Sequence, residues 1–158
     1  MVEEKQFRNV MGHFPTGVTV VTTRGEGGIP MGLTVSAFTS VSIQPIRLLI
    51  CLHREATTHD LIVEGGSFAV NILSSEQEEL AMRFASGVTE ERFGGLEVAD
   101  SPLGNPLLPG SLAWLDCRVR EVFPGGDHSM VLGEVEECHA ENGDPLLFFR
   151  GALKGMRS

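Results

Sequence analysis

A run of small hydroxyl and apolar residues is the part of the sequence with the most unusual chemistry. Between Gly32 and Ser42, serine or threonine alternates with apolar residues. This pattern is typical of a strand with a solvent-exposed hydroxyl face. It also fits a ligand site, because Thr34, Ser36 and Ala37 have little side-chain bulk and would let a flat heteroaromatic molecule reach exposed backbone N–H and C=O groups. Both interpretations remain open at this point.

A second segment, from His53 to Thr58, contains groups that bind anions. Thr57 and Thr58 open a predicted helix whose first N–H groups favour negative charge, and Arg54 adds a planar fork of donors. An ordinary helix N-cap explains the same residues. Residues 90–93, Glu-Glu-Arg-Phe, are on their own a charged loop.

A third candidate is the glycine-rich segment at residues 125–129, Gly-Gly-Asp-His-Ser, which has the composition of a turn. A histidine in such a turn is usually exposed and unengaged. The alternative is that His128 contacts a ligand lying over the mouth of a barrel.

Three other kinds of site are not supported. Residues 25–30 begin like a GxGxxG fingerprint but end in Pro30, and a strand is predicted to follow, so the Rossmann interpretation fails. The five histidines are dispersed without an HExxH motif, so no metal site is predicted. No GxSxG motif occurs, and Cys117 and Cys138 fall in predicted strands, where we expect core thiols rather than nucleophiles.

Composition limits the partners and the compartment. A chain of 158 residues predicts one domain, over residues 1–158. The net charge of −9 argues against nucleic-acid binding, which needs a basic surface. No apolar run reaches the roughly 18 residues of a membrane helix, and no signal peptide is evident. The three cysteines have no CxxC spacing, so we expect reduced thiols in a cytoplasmic protein.

The elements that position these segments are mostly strands. Strands are predicted over residues 17–23, 31–41, 47–52, 67–73, 112–123, 130–140 and 145–149. Short helices are predicted over residues 2–11, 57–64 and 75–85, and a long loop over residues 94–110. Because turns rather than helices join most successive strands, we expect a mainly β fold: an antiparallel β-barrel with a few short helices.

Local signals predict where these elements begin and pair. Thr57 with Asp60, and Ser74 with Gln77, have capping-box spacing at two helix starts. Residues 142–144, Asn-Gly-Asp, predict a hairpin turn before the last strand. We expect the strand at residues 17–23 to pair with the strand at 31–41, and the strand at 112–123 to pair with the strand at 130–140. The residues expected to point inward from the third helix are Leu80, Met82 and Phe84.

The order of several motifs resembles one known family. The motifs are residues 7–22 (FRNVMGHFPTGVTVVT), 32–42 (GLTVSAFTSVS), 68–73 (FAVNIL), Gln77 with Phe84-Ala85, 126–128 (GDH), 132–135 (LGEV) and 145–151 (PLLFFRG). This ordered set, from about residue 7 to residue 153, resembles the short-chain flavin reductases, the reductase partners of two-component flavin-dependent monooxygenases.

The resemblance implies an FMN-binding split barrel, usually a homodimer, with the flavin near the dimer interface. It implies that the flavin ring and ribityl chain lie along Thr34, Val35, Ser36, Ala37 and Phe38. The residues implied at the ribityl and phosphate end are Cys51, Leu52, His53, Arg54, Thr57, Thr58, Arg92 and Phe93. The resemblance implies that the turn of Gly126, Asp127 and His128 meets the nicotinamide nucleotide. The catalytic residue that it implies is His128, which would orient the nicotinamide.

The activity that the resemblance implies is that of an NAD(P)H:flavin oxidoreductase. Hydride would pass from nicotinamide C4 to flavin N5, so the cofactors supply the reaction, and reduced FMN or FAD would leave for a separate oxygenase. The family commonly has serine where this chain has Ala56, so one phosphate-binding hydroxyl is lost. FMN or FAD, and NADH or NADPH, remain open. The rival interpretations are a flavin-binding or flavin-shuttling module without its own turnover and a barrel without a ligand.

Overall fold

The predicted strands form an antiparallel sheet in the computed structural model, which describes residues 1–156. The helices are α1 (Glu4–Met11), α2 (Thr57–Gly65) and α3 (Glu78–Ala85). The strands are β1 (Thr16–Gly17), β2 (Thr19–Arg24), β3 (Pro30–Val35), β4 (Phe38–Ile43), β5 (Ile46–His53), β6 (Ser67–Ile72), β7 (Ala99–Asp100), β8 (Pro106–Leu107), β9 (Ala113–Gly125), β10 (His128–Ala140), β11 (Leu146–Phe149) and β12 (Ala152–Gly155).

The main sheet has seven strands in the order β3-β2-β6-β9-β10-β5-β4. Its two edges, β3 and β4, are joined by Ser36 and Ala37 alone. Three peptide steps span at most about 11 Å, whereas seven flat strands would separate the edges by about 29 Å. The sheet must therefore curl until its edges nearly meet. Since the edges are adjacent but not paired within residues 1–156, the result is a split barrel, which confirms the predicted fold class.

The register confirms two predicted strand pairs. β2 pairs with β3 from Thr19 opposite Val35, and β9 pairs with β10 through the turn at Gly126 and Asp127. The single strand predicted over residues 31–41 is wrong, because the chain leaves one sheet edge after Val35 and joins the other at Phe38. The backbone of Ser36 and Ala37 therefore crosses the split between the two edge strands.

The predicted hairpin at residues 142–144 is also wrong. The Ser75 N–H donates to Asp144 O at 2.8 Å and the Leu146 N–H donates to Leu73 O at 3.2 Å, so the chain leaves β10 there. β11 instead pairs with β1 and β12 in a separate three-stranded sheet. The sequence did not indicate β12, and the predicted loop over residues 94–110 contains the short pair β7 and β8.

Two apolar clusters hold α2 and α3 against the barrel. Phe68 lies at the centre of the first, inside the barrel, and Ile62 brings α2 to it. Phe84 anchors α3 in the second, beneath the three-stranded sheet. Two predictions of burial are wrong: Met82 on α3 is exposed rather than part of the core, and Cys138 is an exposed thiol near the end of β10.

Both helix starts differ from the predicted capping boxes. The N-cap of α2 is Ala56 rather than Thr57, and alanine has no side-chain group that could cap the helix. Asp60 accepts a hydrogen bond from the His59 ring. α3 begins at Glu78 rather than residue 75, although the Ser74 N–H donates to Gln77 Oε1 at 2.9 Å. No capping side chain therefore occupies the N–H groups in the first turn of α2.

Candidate functional site

Three neighbouring cavities form a row that passes the split in the barrel. The charged cavity, of about 280 Å³, is lined by residues that include Thr34, Glu55, Thr57, Thr58, Ala85 and Arg92. The central cavity, of about 550 Å³, is lined by residues that include Thr34, Ser36, Met82, Ala85, Phe148 and Leu153. The N-terminal cavity, of about 540 Å³, is lined by residues that include Phe7, Phe14, Thr16, Ser36, Ala37 and Phe148.

The row is continuous because adjacent cavities share walls. Thr34 and Ala85 line both the charged and the central cavity. Ser36 and Phe148 line both the central and the N-terminal cavity. The volumes of the central and N-terminal cavities fall within the range of about 300–1,000 Å³ that is typical of small-molecule sites, and the charged cavity is slightly smaller. The row therefore accommodates an elongated ligand with a charged end.

The charged cavity combines the start of α2 with one guanidinium group. Thr57 and Thr58 are the first residues of α2, and the N-terminus of a helix favours an anion. The Arg92 Nη1 atom donates to Gly32 O at 2.9 Å, which fixes the guanidinium over β3. Burial lowers the pKa of Arg92 from its ordinary value and the Glu90 carboxylate partly opposes this, but an arginine remains protonated.

The crossing at Ser36 and Ala37 offers backbone groups to the middle of the row. The Phe38 N–H donates to Ser36 O, and the Cys51 N–H donates to Ala37 O, each at 3.0 Å. These carbonyl oxygens are therefore already engaged, and the Ser36 and Ala37 N–H groups are the donors that the crossing presents. A flat molecule can approach them closely because neither side chain is larger than a hydroxymethyl group.

Both ends of the row contain a buried polar atom without a hydrogen-bond partner among residues 1–156. In the charged cavity it is Arg92 Nε, and in the N-terminal cavity it is Thr16 Oγ1. A buried donor without a partner costs about 1–3 kcal/mol. Both atoms are shielded behind the wall of the row, so these two residues carry unsatisfied polar groups beside it.

The turn between β9 and β10 brings His128 beside His53. The two rings pack edge to face with their centroids 5.0 Å apart. His128 Nδ1 donates to Asp127 Oδ1 at 2.7 Å, which directs Nε2 away from that carboxylate. This hydrogen bond is the main cause that lowers the pKa of the Asp127 carboxyl from its ordinary value. The pair therefore holds one tautomer of a half-exposed imidazole.

A partly buried histidine, His59, connects this turn to α2. His59 Nδ1 donates to Asp60 Oδ1 at 2.6 Å, so in the neutral ring Nε2 accepts from Ser129 Oγ at 2.9 Å. Ser129 follows His128 directly, and His59 follows Thr58. The turn with His128 and the charged cavity are thus joined through one side-chain contact.

The other predicted site residues lie around the row but outside its walls. Val35 and Leu52 are buried in the barrel, so a ligand would meet only their backbone. Phe38 and Phe93 pack against the two apolar clusters, and Phe93 contacts Phe84 edge to face at 4.9 Å. Burial raises the pKa of the Cys51 thiol, which therefore stays neutral.

Arg54 and Gly126 belong to the turns near the charged cavity. Arg54 is exposed, and its N–H donates to Asp127 O at 3.0 Å, which joins the turn before α2 to the turn before β10. Gly126 has a φ of 76°, in the left-handed region that favours glycine, and this allows the tight turn before Asp127. These residues position the neighbouring segments through their backbones.

Several wall residues were not singled out from the sequence. Glu55 lines the charged cavity, and Phe148, Gly151 and Leu153 reach the central cavity from β11, β12 and the turn between them. Residues 145–151 were part of the family resemblance, but no local pattern places them beside Ser36. Only the separate three-stranded sheet brings them there.

Metal and membrane features give no further candidate. Within residues 1–156, no three His, Cys, Asp or Glu side chains are grouped to hold a metal ion. No helix in the same part of the chain has the length and apolar character needed to span a membrane. The row of cavities is therefore the candidate functional site.

Known relatives have the same fold and a related sequence. The reductase subunit HsaB of a flavin-dependent monooxygenase from Rhodococcus jostii is 38% identical over 158 residues, which cover 98% of this chain and 79% of the relative. A flavin reductase from Pseudomonas putida is 39% identical over 98% of this chain and 91% of its own length. The NADH:FAD oxidoreductase SgcE6 from Streptomyces globisporus, solved with NAD and FAD fragments, superposes with a TM-score of 0.91 at 36% identity, covering 99% of this chain and 96% of that one.

The sequence profile of one family matches nearly the whole chain. The match covers residues 11–157, which include the crossing at Ser36 and Ala37, the start of α2 and the turn with His128. The motif order that suggested a flavin reductase is thereby confirmed. This chain belongs to the flavin reductase like domain family.

Proposed function

We propose that the chain, acting as one domain, is an NAD(P)H-dependent flavin reductase that supplies reduced FMN or FAD to a separate oxygenase component. The observation that carries the proposal is the continuous row of cavities from Arg92, past the crossing at Ser36 and Ala37, to Thr16. Its charged end fits the flavin phosphate, and its central part fits the flavin ring. Relatives named as reductase subunits of monooxygenases support the separate partner.

The residues of the site bind and orient the flavin and the nicotinamide and take no covalent part in the reaction. A bound nicotinamide and a bound flavin supply the hydride donor and acceptor. Arg92 and the first turn of α2 hold the phosphate, while the Ser36 and Ala37 N–H groups bond the flavin edge. His128, fixed by Asp127, orients the nicotinamide through Nε2. In this division of roles the contribution of the protein is geometry.

We propose that the chain acts as a homodimer in the cytoplasm. The apolar face of α1 supports the dimer, because Phe7, Val10 and the following Phe14 are all exposed. An amphipathic helix that buries none of its residues is expected to pack against another chain. The N-terminal cavity, which Phe7 and Phe14 line, would then adjoin the dimer interface.

The proposed activity is tested by nicotinamide oxidation with each cofactor pair. NADH and NADPH are each mixed with the protein and FMN, FAD or riboflavin, and the loss of nicotinamide absorbance is followed. Turnover that requires one flavin and one nicotinamide supports the reductase. A chain that binds flavin but oxidises neither nicotinamide would instead be a flavin-binding or flavin-shuttling module.

His128→Ala should raise the KM for the nicotinamide by about 10-fold, the cost of one lost hydrogen bond of about 1–1.5 kcal/mol. The dissociation constant of the flavin should change by less than about twofold, because no flavin contact is removed. His139→Ala is the matched control, since His139 lies exposed at the far end of the same strand. An equal rise in the flavin dissociation constant would show that His128 serves the flavin.

A further inference from the structure

One side-chain hydrogen bond ties the first turn of α2 to strand β10. His59 Nε2 and Ser129 Oγ lie 2.9 Å apart, and His59 Nδ1 donates to Asp60 Oδ1 at 2.6 Å. The His59 side chain is 11% exposed and Ser129 is buried, so water competes little for the bond between them. Neither residue lines the row of cavities, so the bond lies beside the candidate site rather than in its wall.

Of the two elements that the bond joins, β10 is the one held firmly in place. At Ser129 this strand is paired on both sides, with Leu52 of β5 and with Pro124 of β9. α2 is held mainly by apolar burial, in which Ile62 enters the cluster inside the barrel, and apolar burial has no preferred direction. A hydrogen bond does require a particular direction. The bond from His59 to Ser129 therefore fixes how α2 is rotated on the barrel.

The rotation of α2 matters because its first turn offers free N–H groups to the charged cavity. The Ala56 N–H donates to His53 O at 3.0 Å, and the His59 N–H donates to Ala56 O at 2.9 Å. Between them, the N–H groups of Thr57 and Thr58 have no backbone acceptor among residues 1–156, and both residues line the charged cavity. Such N–H groups stabilise an anion when they point towards it. Because His59 follows Thr58 directly, an anchored His59 side chain sets the orientation of both donors.

Building on the proposed reductase function, we propose that His59 and Ser129 are positioning residues for the flavin phosphate. Their hydrogen bond holds α2 at the rotation in which the Thr57 and Thr58 N–H groups face the charged cavity. Arg92 is held separately through Gly32 O and continues to bind the phosphate when the bond is lost, so the expected loss of affinity is partial. Riboflavin has no phosphate, and its binding is independent of the bond.

Equilibrium binding of FMN and riboflavin, followed by flavin fluorescence, tests this role without requiring turnover. In His59→Asn the shorter amide stays near the position of Nδ1 and cannot reach Ser129, whereas in His59→Gln the amide lies near the position of Nε2. His59→Asn should raise the dissociation constant of FMN by about 3-fold to 10-fold, the effect of about one hydrogen bond, and that of riboflavin by less than about twofold. His59→Gln should recover most of the affinity for FMN.

The same bond can be removed from the strand by Ser129→Ala, which deletes one oxygen atom and keeps the packing of β10. This variant should weaken FMN by about the same factor as His59→Asn. The double variant should bind FMN no more weakly than the worse single variant, because both substitutions remove one shared bond. Losses that multiply in the double variant would refute the proposal, since the two residues would then act independently.

The matched control is His139→Asn. His139 is an exposed histidine near the far end of β10 that also bonds a carboxylate, with Nε2 2.7 Å from Glu141 Oε1. This variant should bind FMN and riboflavin as the wild type does. A loss of FMN affinity equal to that of His59→Asn would overturn the assignment, because it would not depend on the position of the histidine.

The failures of the two proposals are distinguishable. If the wild type binds both flavins but His59→Asn weakens them equally, or weakens neither, the positioning role is refuted while the reductase proposal stands. If Ser129→Ala raises the KM for the nicotinamide and leaves FMN binding unchanged, the bond serves the turn with His128 and the role at the phosphate is also refuted. If the wild type binds neither flavin, both proposals fail.

Discussion

Replacing Arg92 with methionine should weaken the binding of FMN by about 10-fold to 100-fold. A hydrogen bond to a charged group contributes about 1.5–3 kcal/mol, and Arg92 is the one cation that residues 1–156 place in the wall of the charged cavity. The contact of Arg92 Nη1 with Gly32 O holds the guanidinium in this wall, beside the start of α2, where a phosphate can bind. Binding of riboflavin should change by less than about threefold, because riboflavin has no phosphate. Flavin fluorescence titrations measure both constants.

Two further variants separate ligand binding from structural damage. Arg92→Lys keeps the charge but not the planar fork, so it should recover part of the affinity for FMN. Arg118→Met removes an exposed arginine on β9 that pairs with Glu136, away from the cavities, and should bind FMN as the wild type does. If Arg92→Met weakens riboflavin and FMN equally, Arg92 acts through its contact with Gly32 O rather than through the phosphate.

Gly133→Ala should lower the free energy of unfolding by about 2–3 kcal/mol and Tm by roughly 5–10 °C. Gly133 lies in β10, where an added Cβ would come within 2.6 Å of Phe68 Cζ and 3.2 Å of Cys117 Cβ. Phe68 is fully buried at the centre of the barrel and has little space to move aside. The added methyl group therefore forces the core apart. Thermal and urea unfolding at one fixed protein concentration measure the effect.

Gly17→Ala is the matched control, because an added Cβ there meets no atom within 4 Å and Gly17 is exposed on β1. Its Tm should stay within about 2 °C of the wild type. The double variant Gly133→Ala with Phe68→Leu should lose less stability than the sum of the single variants, since the smaller side chain makes room. Fully additive losses would show that the clash with Phe68 is not the cause.

The strands of the barrel were predictable because their signals are local. The β-branched run at residues 17–23 predicted β2, and the glycine-rich turn before His128 predicted that β9 and β10 pair. Both features are present in the fold. The break at Ser36 and Ala37 was not predictable from the pattern. The alternation of apolar and hydroxyl residues continues through it, and only the curling of the sheet separates Val35 from Phe38.

The residues of the candidate site could be predicted only in part. The family resemblance implied Thr34 at the flavin ring and Thr58 and Arg92 at the phosphate end, and all three residues line the charged cavity. Glu55 was missed because a charged residue in a turn has no distinctive local signal. The contribution of Phe148 and Leu153 depends on β11 and β12 forming their own sheet, which is a long-range pairing that no neighbouring residues encode.

The most direct test of the reductase function is an anaerobic mixing experiment with the purified chain and no oxygenase. A small amount of protein is added to an excess of FMN or FAD with NADH or NADPH, and the visible absorbance of the flavin is followed. We expect many equivalents of flavin to lose their absorbance with at least one cofactor pair. A flavin that binds but keeps its oxidised spectrum with both nicotinamides would contradict the proposed reductase.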